Sequence, residues 1–393
     1  MKHRMKLLGA GVVALPLVAG AATAFAATEP PTTESAATES AGSAAPAECE
    51  SVDSVTLQLQ WFFQGQFAGY MAARDNGIYE QYCLDVEILE GGVDIVPQQV
   101  LADGGADFAI AWVPKALATR EAGADIVNIA QIFQRSGTLQ VSFADAGITT
   151  PEDFEGKNIG NWGFGNEYEI FAALAQAGLD PASDVNLVQQ QFDMVGLLDR
   201  SIDAAEAMTY NEYAQALEAV NPDTGELYQP EDFNVISYEE VGVGMLQDAI
   251  WADGARLADD EAYVDIATRF VAASIEGWAW ARDNVEDAAA LVVDGGSQLG
   301  ASHQLWQVNE VNKLIWPAEN GIGYIDEAAW TRTVDLALNT PNLEGTTVLT
   351  AEPTDGAYTN DIVTAAHELL GDSVDINGAD FAPIEVTLNE GGE

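Results

Sequence analysis

Residues 54–61, SVTLQLQW, alternate apolar and polar positions with the two-residue period of a half-buried strand. The pattern then changes: in FAGYMAARDNGIYE (67–80), Phe67, Tyr70, Met71 and Ile78 recur at helical spacing and share one face. LDVEILEG reads as a second strand, DIVPQQVLADGG as a short helix closed by Gly104, and ADFAIAW as a third strand. PKALATREAG forms the next helix, ended by Gly123, and DIVNIAQIFQ reads as a strand. Strands alternating with helices predict a parallel sheet with helices on both faces.

A second unit follows the same grammar. TLQVSF, KNIGNW and VNLVQQ read as strands, NEYEIFAALAQAG and the segment around MVGLLDRS as helices, followed by IDAAEAMTY and NEYAQALEAV. FNVISYEEVGVGMLQDAIWA looks like one strand returning to the first unit. Beyond it the chain is mainly helical, with Val264, Ala267, Phe270, Val271, Ile275 and Trp278 on one face of a helix that starts at an acidic DDE.

In open α/β sheets, ligands bind beyond the C-terminal ends of strands, where the following helices begin. Four such junctions here carry rings or amides: Trp61 to Tyr70, Trp112, Trp162 to Glu167, and Met208 to Tyr213. Four aromatic junctions converging on one edge predict a shared pocket.

Composition narrows the partners. With 14 Lys+Arg against 63 Asp+Glu, the formal net charge is −49, which repels nucleic acid and anionic lipid and suits solubility in a salty setting. MKHRMK followed by LLGAGVVALPLVAG and AFA before Ala27 has the form of a signal peptide over residues 1–26, with no lipobox cysteine. Residues 27–50 read as a Pro/Ser/Thr/Ala tether. An exported, extracytoplasmic location follows. The only cysteines, Cys49 and Cys83, are then available for a disulfide, with two unpaired thiols as the alternative. Three histidines and two cysteines offer too few ligands for a zinc or iron site, and no cofactor is expected.

The segments LQLQW, QGQFAGYMAARDNGIYE, DFAIAWVPKALATREAGADIVNIAQIFQRSG and FEGKNIGNWGFGNEYE resemble the solute-binding proteins of ABC importers. The branch groups nitrate, sulfonate and thiamine-pyrimidine binders with the fungal-type thiamine pyrimidine synthases. The resemblance implies a two-lobed type II periplasmic-binding-protein fold of α/β class, each lobe a mostly parallel sheet flanked by helices, with a helical C-terminal part. It implies lobe 1 over 51–136 and 243–393, lobe 2 over 137–242, and a hinge near Gln134–Thr138 and Tyr238–Gly244. The partners it implies are a small heterocyclic solute and a membrane permease, with the receptor acting as a monomer. The synthases need a PLP-holding Lys, a nearby consumable His and a cysteine-rich motif. Here Ala111 and Lys115 stand at the first two positions and no cysteine cluster exists, so a non-enzymatic role is expected.

Candidate ligand-binding residues are Trp61, Gln64, Gln66, Tyr70, Trp112, Arg135, Trp162, Asn166, Glu167, Tyr210 and Asn211. Trp112, held before Pro114, is expected to face Trp162 and sandwich a ring. Each has a plainer alternative: core packing for Trp61 and Tyr70, pairing with a hinge carboxylate for Arg135, helix starts for Glu167 and Asn211. NWGFGNEYE offers a weak glycine turn for an anion. Lys115 reads as a surface residue. The pocket predicts a flat heterocycle, first a thiamine pyrimidine precursor and second riboflavin or a related flavin. Nitrate or sulfonate would want several convergent cations. A sensory role for the same clamp is the remaining alternative.

Overall fold

A computed structural model describes residues 49–393 except Phe164. The export segment expected over 1–26, and all but the last two positions of the tether over 27–50, lie outside the described residues.

Ten strands among the described residues form two five-stranded sheets. They are β1 (Asp53–Gln58), β2 (Leu84–Leu89), β3 (Phe108–Trp112), β4 (Ile126–Gln131), β5 (Thr138–Phe143), β6 (Asn158–Asn161), β7 (Asn186–Gln189), β8 (Ala204–Met208), β9 (Phe233–Ser237) and β10 (Asp248–Asp253). The first sheet has the order β2-β1-β3-β10-β4 and the second β7-β6-β8-β5-β9. Helices flank both, giving a two-lobed α/β fold.

Each sheet is mostly parallel, as expected, with four strands running one way and one strand reversed. β10 runs antiparallel to both β3 and β4, and β5 antiparallel to both β8 and β9. The cause is that the chain leaves the first sheet after β4 and re-enters it through β10, so each lobe receives one strand from the opposite direction. The expected single returning strand over 233–252 is correspondingly two strands, β9 and β10, separated by the crossover 238–247.

This insertion shapes the cleft. An antiparallel strand begins where its neighbours end, so Asp248, first in β10, pairs with Trp112, last in β3. Thr138, first in β5, pairs with Met208, last in β8, in the same way.

Central strands are buried on both faces, which is why FAIAW reads as an unbroken apolar run: Phe108, Ala109, Ile110 and Ala111 are all buried. Behind the first sheet, the helix Glu261–Asp283 supplies Tyr263, Phe270 and Trp278 to the core. Near-parallel rings pile up there, Tyr79 on Phe270 at 5.6 Å, Phe270 on Phe108 at 4.4 Å and Phe108 on Tyr263 at 5.5 Å. Asp260 caps that helix by accepting from Ala262 N at 3.0 Å. The expected helix over 67–80 is interrupted: Ala68–Asp75 and Ile78–Gln81 are separated at Gly77, whose φ of 68° an L side chain rarely adopts. Cys49 and Cys83 form a disulfide that ties the start of β1 to the turn before β2.

Side-chain amides knit the two crossovers together. Gln131 Nε2 donates to Phe133 O at 3.0 Å and to Gln247 O at 3.2 Å. Gln247 in turn accepts from Gly137 N at 2.9 Å and donates to Thr138 Oγ1 at 2.7 Å. Glu169, from the second lobe, accepts from Met245 N at 2.6 Å, and burial pushes its carboxyl up to about 7.

Candidate functional site

A cavity of about 490 Å³ opens between the lobes at the strand ends. Six aromatic residues line it: Trp61, Trp112, Trp162, Tyr168, Phe192 and Tyr210. So do six amides: Gln60, Gln64, Gln66, Gln98, Asn166 and Asn211. Lys115 is the single cation in the lining, with Glu212 its carboxylate.

The lobe 1 wall is built by three short segments. The turn Gly65–Phe67 lies tightly on the helix Ala301–Ile315; Gly65 N donates to Gln304 Oε1 at 2.6 Å, and a Cβ at Gly65 would come within 2.8 Å of Gln307 Cβ. That turn carries Gln64 and Gln66 inward, both buried, with Gln64 Nε2 donating to Gln66 Oε1 at 2.7 Å. Gln66 Nε2 donates to Asp248 Oδ2 at 2.7 Å, and Gln60 Nε2 donates to Asp248 Oδ1. Burial pushes the Asp248 carboxyl up to about 7, against the opposing pull of Gln66 and of the Lys115 charge. Trp112 precedes the helix Val113–Glu121. One turn on, Lys115 sits 5.0 Å over the Trp112 ring. Its burial lowers the ammonium to about 8, while Glu167, Glu206 and Asp248 hold it up.

On the lobe 2 side, Trp162 follows β6 and its backbone N–H donates to Glu206 Oε2 at 2.7 Å. Glu206 is fully buried, its Oε1 has no partner, and burial raises its carboxyl well above the usual range. Phe192 stacks on Trp162 at 5.9 Å. Asn166 accepts from Lys115 Nζ at 2.6 Å, a bond that spans the cleft. Trp61 and Phe192 also meet across it, with ring centroids 4.9 Å apart. Behind the floor, Asn211 Nδ2 donates to Glu212 Oε1 at 2.9 Å, and Asn211 Oδ1 lies 3.0 Å from His303 Nε2. His303 Nδ1 is 2.8 Å from Glu218 Oε1, so a lobe 1 helix and a lobe 2 helix meet through these side chains.

The cavity thus gathers Trp61, Gln64, Gln66, Trp112, Trp162, Asn166, Tyr210 and Asn211, eight of the eleven sequence candidates. The other three fall elsewhere. Tyr70 is a core residue, its ring edge-on to Trp278 at 5.6 Å. Arg135 is consumed by backbone carbonyls, donating to Lys313 O at 3.0 Å, Trp316 O at 3.2 Å and Pro317 O at 2.6 Å, where the helix Ala301–Ile315 ends. Glu167 folds back on its own loop and accepts from Gly165 N at 2.9 Å. That bond, with Asn166 N donating to Gly163 O at 3.1 Å, also occupies the turn that was expected to offer an anion site. Trp112 and Trp162, expected to face each other, both line the cavity, with Lys115 over the Trp112 ring and Phe192 stacked on Trp162. Lys115, read as a surface residue, belongs to the cavity.

Asp248, Phe192 and Tyr168 escaped the sequence reading. Phe192 and Tyr168 obey the strand-end rule that found the others, one just beyond β7 and one after β6. Asp248 had a weaker signal, a lone acid opening the apolar run DAIWA.

The two lobes, the cleft between them and the aromatic floor define a solute-binding architecture. The chain belongs to the family described as NMT1/THI5 like, whose model matches residues 64–288. It is similar to the formylaminopyrimidine-binding protein of Halalkalibacterium halodurans, 21% identical over 244 residues, or 61% of this chain and 69% of that protein. It is also similar to the riboflavin-binding protein RibY of Chloroflexus aurantiacus, 26% identical over 303 residues, or 74% and 82% of the two chains. Among solved structures, the periplasmic sulfonate-binding protein SsuA of Methylobacillus flagellatus shares the fold, with a TM-score of 0.57, 15% identity, and coverage of 86% of this chain and all of that one. The desulfurization enzyme DSZB shares it too, with a TM-score of 0.52, 13% identity, and coverage of 81% and 100%. The fold by itself therefore serves both binding and catalysis. No helix among the described residues is long and apolar enough to cross a membrane.

Proposed function

We propose that this protein is the extracytoplasmic solute-binding component of an ABC importer, holding a flat nitrogen heterocycle between its lobes without converting it. The observation that carries this reading is the lining itself: six aromatic residues and six amides converge on a cavity with one cation, Lys115, already bonded to Asn166. Rings bind planar solutes by stacking, and amides supply donors and acceptors in the ring plane. A nitrate or sulfonate would need several convergent cations, and burial already lowers the one present. Glu212 in the lining favours a solute with amino or ring N–H donors.

Within that class the aminopyrimidine precursors of thiamine are the first reading, supported by the formylaminopyrimidine-binding relative. A flavin is the second, favoured by the cavity volume and by the longer match to the riboflavin-binding relative. Residues 1–26 act as the export signal in this reading, and the monomeric receptor delivers its solute to a membrane permease.

The test is a thermal-shift screen of the mature protein against aminopyrimidines, riboflavin, nitrate and alkyl sulfonates. A ligand at 100 times its Kd stabilises by about 2.7 kcal/mol. A shift with a heterocycle that is lost in Trp112→Ala, whose unliganded melting is recorded alongside, supports the ring-binding floor. A shift with sulfonate or nitrate alone overturns it.

A further inference from the structure

The cavity wall is divided chemically. Amides, carboxyls and rings occupy the floor, but one side of lobe 1 is aliphatic: Val93, Ile95, Val96 and Pro97 from the segment after β2, with Ala118 and Val348 beside them. Val93, Ile95 and Val96 are 54%, 40% and 50% exposed, while most large apolar side chains among the described residues are buried. Three exposed aliphatic side chains within four residues, all on one wall of the cavity, form a patch continuous with the ring-binding floor. A cavity of about 490 Å³ also leaves room beyond a single ring.

We propose that Val93, Ile95, Val96 and Val348 form an apolar subsite that takes a fused arene or alkyl extension of the heterocycle, making the solute an extended ring system whose polar end faces the amide floor. This rests on the heterocycle reading above and adds to it the chemistry of the far end of the solute. The division explains how one cavity can hold both amides and unpartnered aliphatics: each half meets the half of the solute that matches it.

The experiment compares solutes that differ only in a fused benzene ring: 4-aminopyrimidine against 4-aminoquinazoline, and lumazine against alloxazine. Affinities are measured by calorimetry on the mature protein and on a Val93→Asn, Val96→Asn variant. The expected result is that the benzo-fused member of the pair that binds does so about tenfold tighter, from the extra apolar surface buried. In the variant that ratio falls toward one while the melting temperature of the unliganded protein is kept. The variant separates the aliphatic wall from simple gains in stacking, because it leaves every ring of the floor in place. Binding with equal affinity within a pair, or a ratio that the variant does not change, overturns the subsite and leaves the heterocycle reading intact. If no member of either pair binds, the heterocycle reading falls and the subsite falls with it.

Discussion

Asp248 gives the sharpest test of the cleft electrostatics. It is 2% exposed, receives the Gln60 and Gln66 amides, and has its carboxyl pushed from 3.8 to about 7, mainly by burial. A carboxyl raised on folding binds its proton more tightly in the native state, so its stabilising contribution is greatest at low pH. That contribution is lost as pH rises through the native value. With the two values above, a single site contributes about 3 kcal/mol at pH 5 and almost nothing at pH 8. The whole chain, at −49, also becomes less stable with rising pH through self-repulsion, and Glu169 and Glu206 titrate from raised values as well. Asp248→Asn keeps the side-chain shape and those other groups but removes this one titration. Urea unfolding of the wild type and the variant at pH 5, 6, 7 and 8, followed by Trp fluorescence, isolates it. The expected outcome is a stability difference, variant minus wild type, that grows by about 3 kcal/mol in favour of the variant from pH 5 to pH 8. Parallel pH profiles would refute the argument and place Asp248 in a solvated or fully compensated site.

Other substitutions probe the frame. Replacing Cys49 and Cys83 with Ser opens a cross-link spanning 34 residues, for which loop entropy predicts a loss of about 4 kcal/mol and a melting temperature lower by about 5 °C. Dithiothreitol should lower the wild type by the same amount and leave the double variant unmoved. Gly69→Ala drives a Cβ into the Trp278 ring, where the helix Ala68–Asp75 crosses Glu261–Asp283, and should lose more than about 3 kcal/mol in urea titrations. Tyr70→Phe, by contrast, removes a buried hydroxyl that lies beside the Trp278 indole, so stability should change by no more than about 1 kcal/mol and solute affinity should not change. A loss of affinity there would return Tyr70 to the cleft.

The alternation of strands and helices was legible because periodicity is local, and so was the ring-lined edge, because a strand end and a following helix start are adjacent in the chain. What was not legible depended on who else competes for a side chain. Arg135 looked like a ligand donor because cations are scarce, yet three carbonyls about 180 residues downstream take it. Lys115 read as solvated because only folding brings Asn166 and the Trp112 ring around it. Asp248 comes to lie against Gln60 and Gln66 of the lining through the antiparallel direction of β10, which no single-segment pattern encodes. Glu167 differs for the opposite reason: its partner, Gly165, is two residues away, a local bond that the sequence reading weighed only as a helix start.

The place of β10 in the first sheet has a consequence for how the molecule comes into being. The second sheet draws all its strands from residues 138–237, one uninterrupted stretch, and can close as soon as that stretch is available. The first sheet cannot, because its strand between β3 and β4 ends at Asp253. Until that residue arrives, β3 and β4 each present an open edge, and β3 is apolar along nearly its whole length. Lobe 2 should therefore be the early folder and lobe 1 the late one, with the longest contacts in sequence formed last. A chain cut shortly before Asp248 would combine a completed second lobe with a split, adhesive first sheet. The strand that brings Asp248 behind the amides of the site is thus also the one that closes the open apolar edge of β3.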